Sequence, residues 1–170
     1  QVGLDGRWRR ANQRLCDVVG YTWEELRDKT FQDITHPDDL KTDLTLAHQL
    51  LTGERQTYTL EKRYIRKDGS CAPVNLTVSL VRGAAGEPQH FVSVIEDIAD
   101  RKRAEAAMRE SEEKFSKMFE SSLVATSLST AKEGRYLAVN SAFLKTFQRT
   151  RDEVVGHTVF ELNTWVDLKQ

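Results

Sequence analysis

The chain has 170 residues, a formal net charge of -1 and 39% hydrophobic residues, enough for one or two small globular domains with a real core. Acids and bases are interspersed, which argues against a nucleic-acid face, and the local cluster Arg7, Arg9, Arg10 and Arg14 reads as a solvated edge. The two cysteines, Cys16 and Cys71, lack metal-ligand spacing, and no apolar run reaches the roughly 20 residues of a membrane helix, so a zinc site, a disulfide framework and a membrane span are not expected.

Asp5-Gly6 predicts a tight turn feeding a short strand at Arg7-Trp8, after a strand stub at Gln1 to Leu4. Asn12 opens a helix whose face is Leu15, Val18 and Val19, and Gly20 is placed to end it. Thr22-Trp23-Glu24-Glu25 has the spacing of a capping box, in which hydroxyl and carboxylate each satisfy a free backbone N–H. His36-Pro37-Asp38-Asp39 starts a longer helix, with Pro in the first position and two carboxylates at the positive end of the dipole. Leu40, Leu44, Ala47 and Leu51 form its apolar stripe, stopped by Gly53. Three strands are then predicted at Thr57 to Arg66, Ser70 to Arg82 and Gln89 to Asp97, joined by Gly-containing turns into an antiparallel meander.

From Asp100 onward the residues are strong helix formers without Gly or Pro until Gly134. Pairs at i,i+4 with the acid first, Glu105 with Arg109, Glu110 with Lys114 and Glu113 with Lys117, support a helix standing partly in water. Ala104, Met108, Phe115, Met118 and Ser122 fall on the seam of a short coiled coil interrupted at Ser111, which predicts a dimerising helix that carries movement of the preceding strand; the plainer reading is a connector that packs along its own domain. The pattern then restarts. An offset of 128 positions matches Gly6-Arg7-Trp8 to Gly134-Arg135-Tyr136, Asn12 to Asn140, Thr22 to Thr150, Glu25 to Glu153 and Thr30 to Thr158 without a gap. The second copy has an upstream strand predicted at Leu123 to Ser129 and stops before any meander.

The stretches GRWRRANQRLCDVVGYTWEEL, HPDDL, LLTGE, EKRYIRKDGS and EDIADRKRAE together resemble the PAS family of sensor domains followed by the PAC motif. The resemblance implies an α+β fold: a five-stranded antiparallel sheet with helices on one face, then a long linker helix and a partial second PAS domain. The expected divisions are a sensor domain at 1–99, a linker at 100–121 and the first half of a second domain at 122–170. It also implies a sensory, noncatalytic module of a bacterial signalling protein of the histidine kinase or diguanylate cyclase type, working as a homodimer. The kinase or cyclase domain would belong to the same longer polypeptide, since this chain starts without Met and stops within a domain. A cytoplasmic location is expected, with membrane tethering through other parts of that polypeptide left open.

In the family the exit strand passes changes in a cavity to the output. Asp97 and Arg101 match the Asp and Arg of the exit motif, a pair proposed to tie strand end to helix start. Ala99 departs from the usual Thr, so Asp100 is the alternative cap. A small ligand in the cavity would touch Leu44, Ala47, His48, Leu51, Tyr58, Tyr64, Val74, Leu76, Val78 and Ile95. An equally open reading is an empty core acting through dimerisation alone. His48 is the candidate haem ligand, set against the ordinary fate of a lone His at a face boundary. Flavin is disfavoured, because Lys29 to Asp33 contains no Cys and Ile95 stands where the light-sensing branch has Gln. An enzyme of the cone-shaped dehydratase or isomerase type would use His36 with Asp38 or Asp39 as base and orienter, but these residues already have a helix-capping role.

Overall fold

Val74, Leu76 and Val78 alternate with Asn75, Thr77 and Ser79 along the longest strand, so one face of that strand is apolar and the other wet. In the computed structural model, which describes residues 1–162, Val74, Leu76 and Val78 are all buried. The chain divides into two compact units, Gln1–Glu105 and Ala106–Gln170.

The first unit holds β1 (Val2–Gly3), α1 (Gln13–Val19), α2 (Trp23–Leu26), a 3-10 turn (Gln32–Ile34), α3 (Pro37–Thr52), β2 (Thr57–Ile65), β3 (Cys71–Arg82) and β4 (Pro88–Asp97). Its sheet is antiparallel in the order β1-β4-β3-β2, and Trp8 adds an isolated bridge to Val2 beyond β1, the fifth position of the expected sheet. The meander follows from its turns: β2 and β3 pair from Thr57 with Ser79 to Ile65 with Cys71 around Gly69, whose positive φ of 82° suits a residue without Cβ. The core gathers Val19, Leu26, Ile34 and Leu50 from the helical segments against Tyr58, Tyr64, Val74 and Leu76 of the sheet.

The caps form as the sequence predicts. Asn12 accepts from the Leu15 N–H, Gly20 ends α1 in a left-handed conformation, and Thr22 and Glu25 complete a reciprocal capping box. At α3 the buried face is Asp43, Ala47 and Leu50, one register away from the expected Leu40, Leu44, Ala47 and Leu51 stripe. Leu44 stays 41% exposed, because the face that packs on the sheet is set by Asp43 meeting a buried cation.

α4 (Ala99–Ser121) has no buried residue. Of its expected pairs Glu110–Lys114 forms at 2.6 Å, whereas Glu105 turns back to Arg101 and Glu113 to Arg109. The second unit contains β5 (Ser127–Ser129), β6 (Tyr136–Val139), α5 (Ser141–Phe147) and α6 (Arg151–Val154). β5 is shorter than the expected Leu123 to Ser129 strand and pairs with β6, while Leu123 and Val124 are exposed. The repeat is visible in its caps: Asn140 accepts from the Phe143 N–H as Asn12 does from Leu15, and Thr150 with Glu153 repeats the box of Thr22 with Glu25. Asn140 does more than its counterpart, since its amide also donates to the carbonyls of Phe119 in the last turn of α4 and Val124 just beyond it.

Candidate functional site

The inward residues of β2 are Tyr58, Leu60, Lys62 and Tyr64, and the third of these is a cation placed where the strand faces the core. Burial without a partner would cost several kcal/mol, so the fold supplies one. Lys62 Nζ donates to Asp43 Oδ2 at 2.6 Å and to Thr35 Oγ1 at 3.0 Å, and lies 4.3 Å from the centre of the Tyr64 ring. Tyr58 donates its hydroxyl to Asp43 Oδ1 at 2.7 Å, so each carboxylate oxygen has a donor. Side-chain exposure is 0% for Lys62 and 1% for Asp43. Burial pushes the Lys62 ammonium below its ordinary pKa, opposed by the Asp43 carboxylate, and burial pushes the Tyr58 and Tyr64 hydroxyls upward.

This cluster forms one side of a cavity of about 20 Å³ whose other walls include Val2, Trp8, Phe31, Ala47, Leu76, Val78, Phe91 and Ser93. A space of that size holds roughly one water molecule. Five of the expected lining residues meet there: Ala47, Tyr58, Tyr64, Leu76 and Val78. Val74 and Leu51 pack in and against the core without lining the cavity, and Ile95 faces a separate groove of about 450 Å³ beside Trp8, Leu15 and Val18.

Leu44 and His48 lie on the exposed side of α3, because the inward side is taken by Asp43, Ala47 and Leu50. His48 is therefore not presented to the cavity. A cavity of about 20 Å³ is far smaller than haem or flavin, and neither His nor Cys is among the residues that line it. His36 accepts from the Asp38 N–H at 3.3 Å as the cap of α3, and Asp39 is bound by Arg63, so the pair considered for an enzyme is committed to structure and lies outside the cavity.

The start of α4 is also specific. Asp97 Oδ1 accepts from the Ala99 N–H at 2.8 Å, so the helix is capped by Asp97 and not by Asp100, which pairs with Arg103. Arg101 does not reach Asp97. Its guanidinium bonds Glu61 of β2 at 2.7 Å and Glu105 at 2.9 Å, and Lys102 reaches the other Glu61 oxygen at 2.7 Å. The two cations hold the Glu61 carboxyl below its usual range.

Sequence reasoning missed Asp43, Lys62, Thr35 and Glu61. The period-2 register of β2, counted from Tyr58 and Tyr64, places Lys62 inside, and Asp43 stands four residues before Ala47 on the same helix face.

A sheet roofed on one face by short helices, with a small cavity between them and a helix leaving the last strand, is the architecture of a sensor domain. The comparisons identify which one. The model of the PAS fold family matches residues 9–95, and a PAS domain model matches residues 123–167. The chain belongs to the PAS family. It is 46% identical over 104 residues to the probable diguanylate cyclase DgcE of Escherichia coli (strain K12), covering 61% of this chain and 9% of that protein. It is 27% identical over 106 residues to the sensor histidine kinase TmoS of Ectopseudomonas mendocina, covering 62% of this chain and 11% of that protein. The chain thus spans about a tenth of these relatives. The crystal structure of a PAS domain from Colwellia psychrerythraea shares the fold, with a TM-score of 0.53 at 17% identity over 58% of this chain and 82% of that one.

Proposed function

We propose that this chain is the noncatalytic sensory part of a multidomain signalling protein, with a first PAS domain at 1–99, a linker helix at 100–121 and the beginning of a second PAS domain from 122. Its output would be a histidine kinase or diguanylate cyclase domain of the same polypeptide, in keeping with the two relatives. No helix among the described residues is long and apolar enough to cross a membrane, and a cytoplasmic setting for this part fits its unpaired cysteines.

The observation that carries the reading is the continuity of β4: Phe91 and Ser93 form part of the cavity wall, and the same strand ends at Asp97, which caps α4. A change in the cavity, from a small ligand or from repacking, displaces β4 and biases two arrangements of α4 in a homodimer. Met108 and Met118, each 66% exposed, with Phe115 supply the apolar seam for that dimer. Replacing Asp97 or Arg101 by Ala in the full-length protein should alter output while the fold of this chain, measured by thermal unfolding, is kept. Unchanged output in both variants refutes the relay.

The size of the cavity favours a second reading, a module without a ligand that acts through dimerisation. Native mass spectrometry with no copurified molecule, and no thermal shift across a metabolite panel, would select it.

A further inference from the structure

Glu61 and Lys62 are neighbours on β2, and strand alternation sends their side chains to opposite faces of the sheet. Lys62 faces the cavity and binds Asp43 of α3. Glu61 faces outward, with one oxygen on Arg101 and the other on Lys102. The next residue, Arg63, is held by Asp39 at the start of α3 through its backbone N–H at 2.8 Å and its guanidinium at 2.8 and 2.9 Å. Of three consecutive residues of one strand, Lys62 and Arg63 therefore bind α3 and Glu61 binds α4.

The remaining restraints on the start of α4 reach elsewhere. Asp97 satisfies the Ala99 N–H within the chain's own turn, and the Ile98 N–H bonds the Pro73 carbonyl of β3 at 3.1 Å. Along β4 a disturbance at Ser93 must cross several residues to reach the helix. Between Lys62 and Glu61 there is a single peptide unit. The Glu61 contacts are also half-exposed, and pairs of that kind add little to stability. Two cations from successive residues of α4 meeting on one carboxylate instead fix how the helix is turned as it leaves the sheet.

We infer that Glu61 is the positioning residue through which the buried Lys62–Asp43 pair sets the start of α4. The purpose given to this coupling rests on the sensory reading above; the coupling itself does not.

The test is amide hydrogen exchange at Lys102, Arg103, Ala104 and Glu105 in the whole chain. Glu61→Gln should speed exchange at these amides about two- to fivefold and leave the amides of β3 unchanged. Asp43→Asn should change exchange at the same amides several-fold when Glu61 is present and leave it unchanged in the Glu61→Gln background, a dependence that a purely structural role would not produce. If Asp43→Asn does not fold, Thr35→Val, which removes the hydroxyl partner of Lys62, takes its place. Parent-like exchange in Glu61→Gln overturns the inference. So does an effect of the interior variant that is absent with Glu61 in place, or that persists undiminished without it. The readout needs neither ligand nor output domain, so a failed coupling leaves the signalling assignment standing, and a failed assignment leaves the coupling measurable.

Discussion

Lys62 and Asp43 meet at 2.6 Å in the interior of the first unit, with both side chains almost fully buried. An ion pair so placed is better at excluding alternatives than at adding stability, because desolvation of both charges consumes most of the attraction. Removing one partner strands the other. Lys62→Met alone should destabilise the first unit by about 3–5 kcal/mol, measured by urea unfolding. Lys62→Met with Asp43→Leu should recover most of that loss, short by about 1–3 kcal/mol for the Tyr58 hydroxyl left without its acceptor. A double variant no more stable than the single one would contradict this.

Acid should weaken the first unit through Asp39. Hydrogen bonds from Arg63 hold its carboxyl below the ordinary value of 3.8. A depressed carboxylate contributes stability that is complete above the unfolded-state value and lost as pH falls through the folded one. Denaturation midpoints should therefore be flat above pH about 5 and fall below pH about 4, and Asp39→Asn should lower the plateau and make the acid limb shallower. An acid limb equally steep in Asp39→Asn would assign the effect elsewhere.

The repeat offers a comparison inside one chain. Gly20 ends α1 at φ 73°, and the matching position after α5 is Gln148 at φ 50°, the only non-glycine residue with positive φ among the described residues. A side chain in that region costs roughly 1–2 kcal/mol, part of which glycine returns as lost unfolded-state freedom. Gln148→Gly should stabilise α5 by about 0.5–1 kcal/mol, read as slower amide exchange in Leu144 to Phe147. Faster exchange would show that the Gln148 side chain contributes more than its backbone costs.

The exposed stripe on α4 makes a prediction about association. Phe115→Glu or Met118→Glu should raise the dimer dissociation constant at least about tenfold in sedimentation equilibrium, whereas Lys117→Glu, on the far side of the helix, should change it little. Equal effects at all three positions would point to net charge and not to a seam.

Much of the fold was legible because it is written in local chemistry. Asn12, Gly20, Thr22, Glu25 and Pro37 bound their helices by satisfying or lacking particular backbone groups, and the alternation in β3 shows its buried face directly. The cavity was legible only in part. Its apolar wall followed from periodicity, but its polar side depends on Asp43 and Lys62 finding each other across nineteen positions of chain, and each alone looks like a surface residue. A stripe counted from apolar residues alone passes over Asp43 in the same way and so falls one register off on α3. The exit motif suggests Asp97 as the partner of Arg101; the carboxylate it meets lies on β2, forty positions earlier.

The two opposite charges beside the cavity cancel at short range, and this has a chemical corollary for any guest. An ion entering would shed its hydration and find no surplus of the opposite sign to receive it, a loss of several kcal/mol. A neutral molecule faces no such barrier. On the proposed ligand-binding reading, a guest for which repacking enlarged the cavity would therefore enter more readily in its neutral form than as an ion.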